Sequence, residues 1–277
     1  MALKLMYITN RTEIAEIAEK SGVDRIFLDM EYLGKEARQP GDTVKSNHTV
    51  EDVKAVKAVL KESEVLVRVN PITEKSESFC GSIAEIDSVI AAGADVIMLP
   101  MAKTVSEVKK FAEYVNERAK TMLLLETREA AEIIDEMLDL GVIDEVHIGL
   151  NDLHLSLGKK FMFELLTDGT VEKLCKKIAV RGIPYGFGGI ARLGFGMLPA
   201  EYVICEHYRL GSGAAILSRS FANMNNVTDL CEIERIFRVE IAKIREYEAN
   251  VSSYSECDFE KNRLETIKLV EKITERI

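Results

Sequence analysis

Val146-His147-Ile148-Gly149-Leu150-Asn151-Asp152-Leu153-His154-Leu155-Ser156-Leu157-Gly158 is a short apolar run that breaks at a glycine and then carries an acid sheltered by leucines. One apolar run upstream, Met122-Leu123-Leu124-Leu125-Glu126-Thr127, has the same design. In both, a carboxylate stands at the carboxyl end of a hydrophobic strand, where it costs folding energy unless something pairs with it. A divalent cation held by both acids would remove that cost. Strands that are apolar on both faces, instead of alternating, belong to a buried parallel sheet.

The pattern extends in both directions from this pair. Strands are expected at Leu3–Thr9, Arg25–Asp29, Val65–Val69, Asp95–Leu99, Met122–Leu125, Glu145–Ile148, Pro184–Phe187 and Ala214–Leu217. Between them lie helical patterns such as Glu51–Leu60, Ser82–Ala92, Val105–Ala119, Arg128–Leu138 and Glu201–Leu210, with a closing helix near Asp229–Glu248. Gly22 and Gly93, ahead of the second and fourth strands, read as helix-ending glycine caps. Eight strands with helical crossovers predict an α/β fold, a closed TIM (β/α)8 barrel in a single domain, over an open doubly wound sheet. No Pro-rich linker or composition break divides the chain, so residues 1–250 are assigned to the barrel. Residues 251–277 form an extension whose last helix, Phe259–Ile277, exceeds what a barrel needs; it packs on another subunit or caps the bottom.

Composition narrows the function classes. Nearly half of the 277 residues are hydrophobic, enough for a large core. The net charge of −10 argues against nucleic acid, whose phosphates call for clustered Lys and Arg. No apolar run is long enough to span a bilayer, and the N-terminus reads as a strand rather than a signal peptide. The five cysteines, 80, 175, 205, 231 and 257, are odd in number and form no CxxC pair. They suggest reduced thiols and a cytoplasmic location.

In a barrel the strand ends carry the chemistry. Polar groups stand there at Asp29 and Glu31, Arg68 and Asn70, Lys103, Glu126, Asp152 and, after Gly188-Gly189, Arg192. Charged residues also commonly begin loops, but Glu126 and Asp152 are embedded in apolar sequence. Mg²⁺ takes oxygen ligands, often one or two carboxylates completed by water and substrate. Glu126 and Asp152 would form such a half-shell, open to a 2-oxo acid. Arg68 reads either as a structural ion-pair partner or as a cation for a developing oxyanion. His48 precedes a Thr49-x-x-Asp52 capping pattern at the barrel mouth, and is either a general base or a loop histidine. His147, His154 and His207 read as packing residues. The glycine-rich run Gly186–Gly196 lacks the context of a dinucleotide fingerprint. Phosphate often binds after strands seven and eight, so Arg192 and Arg219 are candidates for it; a loop without phosphate is the alternative.

Five segments in order, Gly-Val-Asp-Arg-Ile-Phe-Leu-Asp-Met-Glu at 22–31, Leu-Val-Arg-Val at 66–69, Gly-Ala-Asp-Val-Ile-Met-Leu-Pro-Met at 93–101, Leu-Leu-Glu-Thr at 124–127 and Ile-Gly-Leu-Asn-Asp-Leu-His-Leu-Ser-Leu-Gly at 148–158, give the chain its likeness. Over roughly residues 4–245 it resembles the HpcH/HpaI aldolase and citrate lyase family of the phosphoenolpyruvate/pyruvate barrel superfamily. The resemblance implies a metal-dependent lyase that makes or breaks a carbon–carbon bond beside a pyruvate or acetyl enolate. It implies Mg²⁺ or Mn²⁺ at Glu126 and Asp152, 2-oxo acid contact at Arg68, and substrate carboxylate held by backbone amides around Leu150, Asn151 and Asp152. A homo-oligomer, trimer or hexamer, is implied by analogy. Two departures stand out. Tyr32 occupies the place of the histidine that usually follows Asp-x-Glu, and that histidine's acidic partner is replaced at Ala91 or Ala92. Two other readings are a phosphosugar isomerase or epimerase, and a barrel that binds without catalysis.

Overall fold

The computed structural model describes residues 2–35, 46–218, 221–222 and 229–277. Eight parallel strands close a barrel in chain order, the first pairing with the last. They are β1 (Lys4–Ile8), β2 (Arg25–Asp29), β3 (Glu64–Arg68), β4 (Val96–Leu99), β5 (Lys120–Leu125), β6 (Glu145–Ile148), β7 (Tyr185–Ile190) and β8 (Ala214–Leu217). The barrel layer is wrapped by α1 (Thr12–Lys20), α2 (Val50–Val59), α3 (Ser82–Ala91), α4 (Val105–Val115), α5 (Arg128–Glu132), α6 (Ile134–Leu138), α7 (Leu150–Ser156), α8 (Glu164–Thr167), α9 (Thr170–Ala179), α10 (Ala200–Arg209), α11 (Leu230–Val251) and α12 (Glu256–Thr274).

Two apolar cores follow from the period of two along each strand. Outward residues such as Leu5, Tyr7, Ile26, Leu28, Val65, Val67, Ile97 and Leu99 pack under the helices. Inward residues Met6, Phe27, Leu66, Met98, Met122 and Leu124 fill the barrel itself. Towards the amino ends of the strands, Arg25 is fully buried and bonds both Glu64 and Glu145. Such a charge is tolerated inside because its Nε edge meets Glu64 and its Nη1/Nη2 edge meets Glu145.

Most expected elements agree with the structure to within a few residues, and three differ for physical reasons. β7 runs on to Ile190, because Gly189 and Ile190 rejoin the ladder with β8 after a register shift that takes in Phe187 and Gly188. Glycine pairs usually signal loops; here a bulge uses them. The expected helix Arg128–Leu138 breaks at Ile133, whose φ of −108° and ψ of 20° leave the helical region. The pattern Val105–Ala119 stops at Val115, where Asn116 turns left-handed as the cap. The two glycine caps are as expected, with φ of 94° at Gly22 and 104° at Gly93. The C-terminal α12 begins at Glu256, behind a Ser255 capping box, and lies against α10 and α8 of its own barrel.

Candidate active site at the carboxyl ends of the strands

Glu126 directly follows β5, and its side chain is only 2% exposed. Its Oε1 accepts the Met101 N–H at 3.1 Å, from a residue held at a left-handed φ of 54°. A non-glycine residue in that region costs on the order of 1 kcal/mol or more, so the surrounding structure imposes it. Burial pushes the Glu126 carboxyl up to about 8; the Arg68 charge opposes this, while Asp152 and Glu31 add to it. Asp152 stands in the first turn of α7, four residues beyond β6, and not at the strand end itself. The turn between them is Gly149, where a Cβ would lie 2.9 Å from the Glu126 Cβ and 3.0 Å from its Oε2. Glycine is required here for closeness, not for φ, which is an ordinary −80°.

Arg68 ends β3 and points into the same region. Its Nε and Nη2 grip both oxygens of Asp29 at 2.9 and 2.8 Å, and Nη1 lies 3.4 Å from Glu31 Oε2. Burial disfavours the Asp29 carboxylate, yet Arg68 and Lys35 overcome it and hold the group well below the usual carboxylate range. Lys35 is buried, with Nζ 2.7 Å from Asp29 Oδ2. The guanidinium also sits 5.8 Å from the Phe27 ring centre. Arg68 is thus both a structural ion-pair partner and a fixed cation, with the Asp29 pair setting its direction.

A cavity of about 190 Å³ is lined by Arg68, Glu126, Leu150, Asn151, Asp152 and, among others, His147, Gly188 and Gly189. Five candidate residues from the sequence therefore share one wall. The first-turn amides of α7 have no partner within their own helix by its geometry. Gly188, at φ 51°, is also compelled: a Cβ there would come within 2.6 Å of Leu150 Cδ1.

Two candidates stand apart from this lining. His48 lies just before α2, whose Thr49–Asp52 capping box is present as expected. Its Nδ1 accepts the Asp29 N–H at 3.0 Å, so the neutral ring carries its proton on Nε2. Arg192 stacks over Phe195, 4.7 Å from the ring centre, and does not line the cavity. Arg219 falls outside the described residues. Lys35 escaped sequence reading because nothing in its local pattern marks it; only the demand of Asp29 for counter-charge points there. His154 and His207 are buried packing residues, bonded to Leu150 O and Ser212 Oγ. His147, by contrast, reaches the cavity wall.

Among the described residues no group of three or more His, Cys, Asp or Glu is arranged to hold a metal. A pair of carboxylates is what the protein offers, which suits a hard cation that keeps water or substrate oxygens in its shell. The raised carboxyl of Glu126, buried beside another acid, is the group that such a cation would relieve. No helix of the described residues is long and apolar enough to cross a membrane.

Among curated proteins, no sequence matches this chain. Among solved structures, it is similar to an HpcH/HpaI aldolase from Desulfitobacterium hafniense, 19% identical, covering 78% of this chain and 86% of that one, with a TM-score of 0.59. It is likewise similar to an HpcH/HpaI aldolase/citrate lyase family protein from Burkholderia cenocepacia, 13% identical, covering 88% and 94%, with a TM-score of 0.61. At these identities the likeness establishes the barrel fold alone. The sequence model of the HpcH/HpaI aldolase/citrate lyase family matches residues 4–164, more than half of the chain and inclusive of Arg68, Glu126 and Asp152. This chain belongs to the HpcH/HpaI aldolase/citrate lyase family, a family of aldolases and lyases.

Proposed function

We propose that this protein is a divalent-metal-dependent carbon–carbon lyase, aldolase-like, acting on a 2-oxo acid such as pyruvate and an aldehyde. The observation that carries this reading is Glu126, a nearly fully buried carboxyl sharing a small cavity with Asp152 and Arg68. Glu126 and Asp152 would hold Mg²⁺ or Mn²⁺, which when bound supplies Lewis-acid polarisation of the 2-oxo group. Arg68, fixed by Asp29, stabilises the negative charge that grows on the enolate oxygen. The first-turn amides of Leu150, Asn151 and Asp152 orient the substrate carboxylate. A cavity of about 190 Å³ is small for a ligand pocket and suits a short 2-oxo acid rather than a coenzyme. With Nδ1 engaged by the Asp29 N–H, the neutral His48 ring presents Nε2–H as a hydrogen-bond donor and has no free nitrogen with which to act as a base. A homo-oligomer, trimer or hexamer, belongs to the same proposal.

Deuterium exchange at the pyruvate methyl group, followed with Mn²⁺ or Mg²⁺ present, tests the reading. Wild type exchanges; Glu126→Gln and Asp152→Asn lower the rate by at least about a hundredfold and weaken Mn²⁺ binding. No exchange by wild type at saturating metal would favour a barrel that binds without catalysis. Variants that bind Mn²⁺ as well as wild type would remove the metal assignment.

A further inference from the structure

Asn70 stands two residues beyond Arg68, past the end of β3, but does not line the cavity that Arg68 and Glu126 share. It is fully buried. A buried amide is costly unless its donors and acceptors are engaged, and here all of them are. Oδ1 accepts the N–H groups of Tyr32 and Leu33 at 3.0 and 2.9 Å. Nδ2 donates to Glu85 Oε1 at 2.6 Å and to Met30 O at 3.4 Å. Two donors on one side and two acceptors on the other fix the orientation of the amide.

Glu85, in the first turn of α3, holds Asn70 from behind. Its Oε2 accepts the Asn70 backbone N–H at 3.1 Å, so both carboxylate oxygens engage one residue. Burial pushes the Glu85 carboxyl above its ordinary value, against the pull of those two N–H groups. A carboxylate kept there at such a cost makes Asn70 rigid.

Met30, Tyr32 and Leu33, the three residues bonded to the Asn70 side chain, bracket Glu31. Their backbone decides which side chains of the turn face the site. Glu31 is buried, with Oε2 3.4 Å from Arg68 Nη1. Asp29 already holds Nε and Nη2, so Glu31 meets the remaining nitrogen of the guanidinium. Tyr32 goes the other way. Its exposed ring stands edge-on to Phe79 with 6.4 Å between centres, and its hydroxyl donates to Ser78 O at 3.5 Å. Position 32 does not line the cavity and supplies no base to it.

We propose that Asn70 and Glu85 are positioning residues for the reaction: they fix the turn after β2 so that Glu31 meets Arg68 Nη1, and the guanidinium keeps one orientation towards the enolate oxygen. The kinetic consequence rests on the proposed reaction; the orientation of Arg68 does not.

Asn70→Asp still accepts from Tyr32 and Leu33 but sets a second carboxylate against Glu85. Glu85→Gln leaves Asn70 one acceptor short. Combined, the two reverse the polarity of the contact, leave the charge unchanged and restore every bond but the long one to Met30 O. In the full-length protein, each single variant is expected to lower kcat for pyruvate methyl exchange about tenfold with KM within about twofold, and the combined variant to recover most of the loss. By NMR of isotope-labelled arginine side chains, the Arg68 guanidinium, identified by its absence from Arg68→Lys, is expected to rotate at least about tenfold faster in the single variants than in wild type or the combined one. Added to Glu31→Gln, either single variant is expected to change kcat by less than about twofold, whereas a merely loosened fold would add its full factor. Either single variant suffices if the other does not fold. If wild type exchanges no pyruvate, the proposed reaction fails, and the rotation of Arg68 alone upholds or overturns the positioning. Unchanged rotation, a combined variant no better than either single one, KM rising as kcat falls, or an undiminished effect beside Glu31→Gln would each overturn the proposal.

Discussion

The proton on Glu126 is the most consequential single feature of the site. A carboxyl raised to about 8 by burial holds its proton through neutral pH, and a cation must displace it. Mn²⁺ affinity is therefore expected to climb between about pH 6 and 8 and level off above, with proton release measurable by calorimetry in two buffers of different ionisation enthalpy. Stability runs the other way. The folded group binds its proton more tightly than the unfolded one, so the metal-free protein loses stability as pH rises from the ordinary carboxylate range through about 8. Glu126→Gln should flatten both curves; a wild-type melting temperature independent of pH in that window would contradict the assignment. At Asp29 the sign is opposite, because Arg68 and Lys35 hold the carboxylate ionised, and its contribution is lost only as the solution becomes strongly acid. Asp29→Asn, which leaves the mostly buried Arg68 with half its grip, is expected to cost about 3–5 kcal/mol in denaturant unfolding. Glu126, Arg68 and Asp152 stood out in the sequence because acids and arginines at the ends of apolar runs are conspicuous. Lys35 was not, since its role depends on a contact that no periodicity encodes.

Between residue and barrel stands the turn from β6 into α7. Gly149 keeps ordinary φ but leaves no room for a methyl group beside Glu126. Gly149→Ala should therefore fold, lose on the order of 1–3 kcal/mol to overpacking, and lose pyruvate exchange far beyond what that instability explains. Circular dichroism with thermal melts alongside the exchange assay separates the two effects. The sequence showed this turn as strand, glycine and acid, and it hid that Asp152 rides on a helix. The run Leu150–Ser156 is too short for helical periodicity to declare itself. β7 was misjudged in the opposite sense. Its glycines resemble a loop, yet Gly186 and Gly189 pair with β8, whose backbone lies too close to admit a Cβ there.

For the whole molecule, the order of eight strands was legible because apolar runs recur with helical patterns between them, and parallel pairing then follows from right-handed crossovers. What the sequence did not display is how the ring is locked. β1 closes onto β8, and Leu3 N–H donates to Glu248 Oε1 of α11 at 2.6 Å. Arg245 adds bonds to Leu3 O and to Glu248 Oε2, both at 2.7 Å, and Tyr208 donates to Glu248 at 3.1 Å. Glu248→Ala is expected to destabilise the protein by about 2–4 kcal/mol, and Glu248→Gln by less, since an amide oxygen still accepts from Leu3. Equal losses for the two would show that the network is not what closes the seam.

That seam joins residues made far apart in time, for Leu3 and Glu248 are 245 positions apart. Until β8 and then α11 emerge, β1 has neither its β8 neighbour nor its Glu248 anchor, and one strand edge stands unpaired while all the elements between them are made. The nascent chain therefore depends on the late arrival of β8 and α11 for protection. Truncated products are expected to aggregate rather than persist as partial barrels.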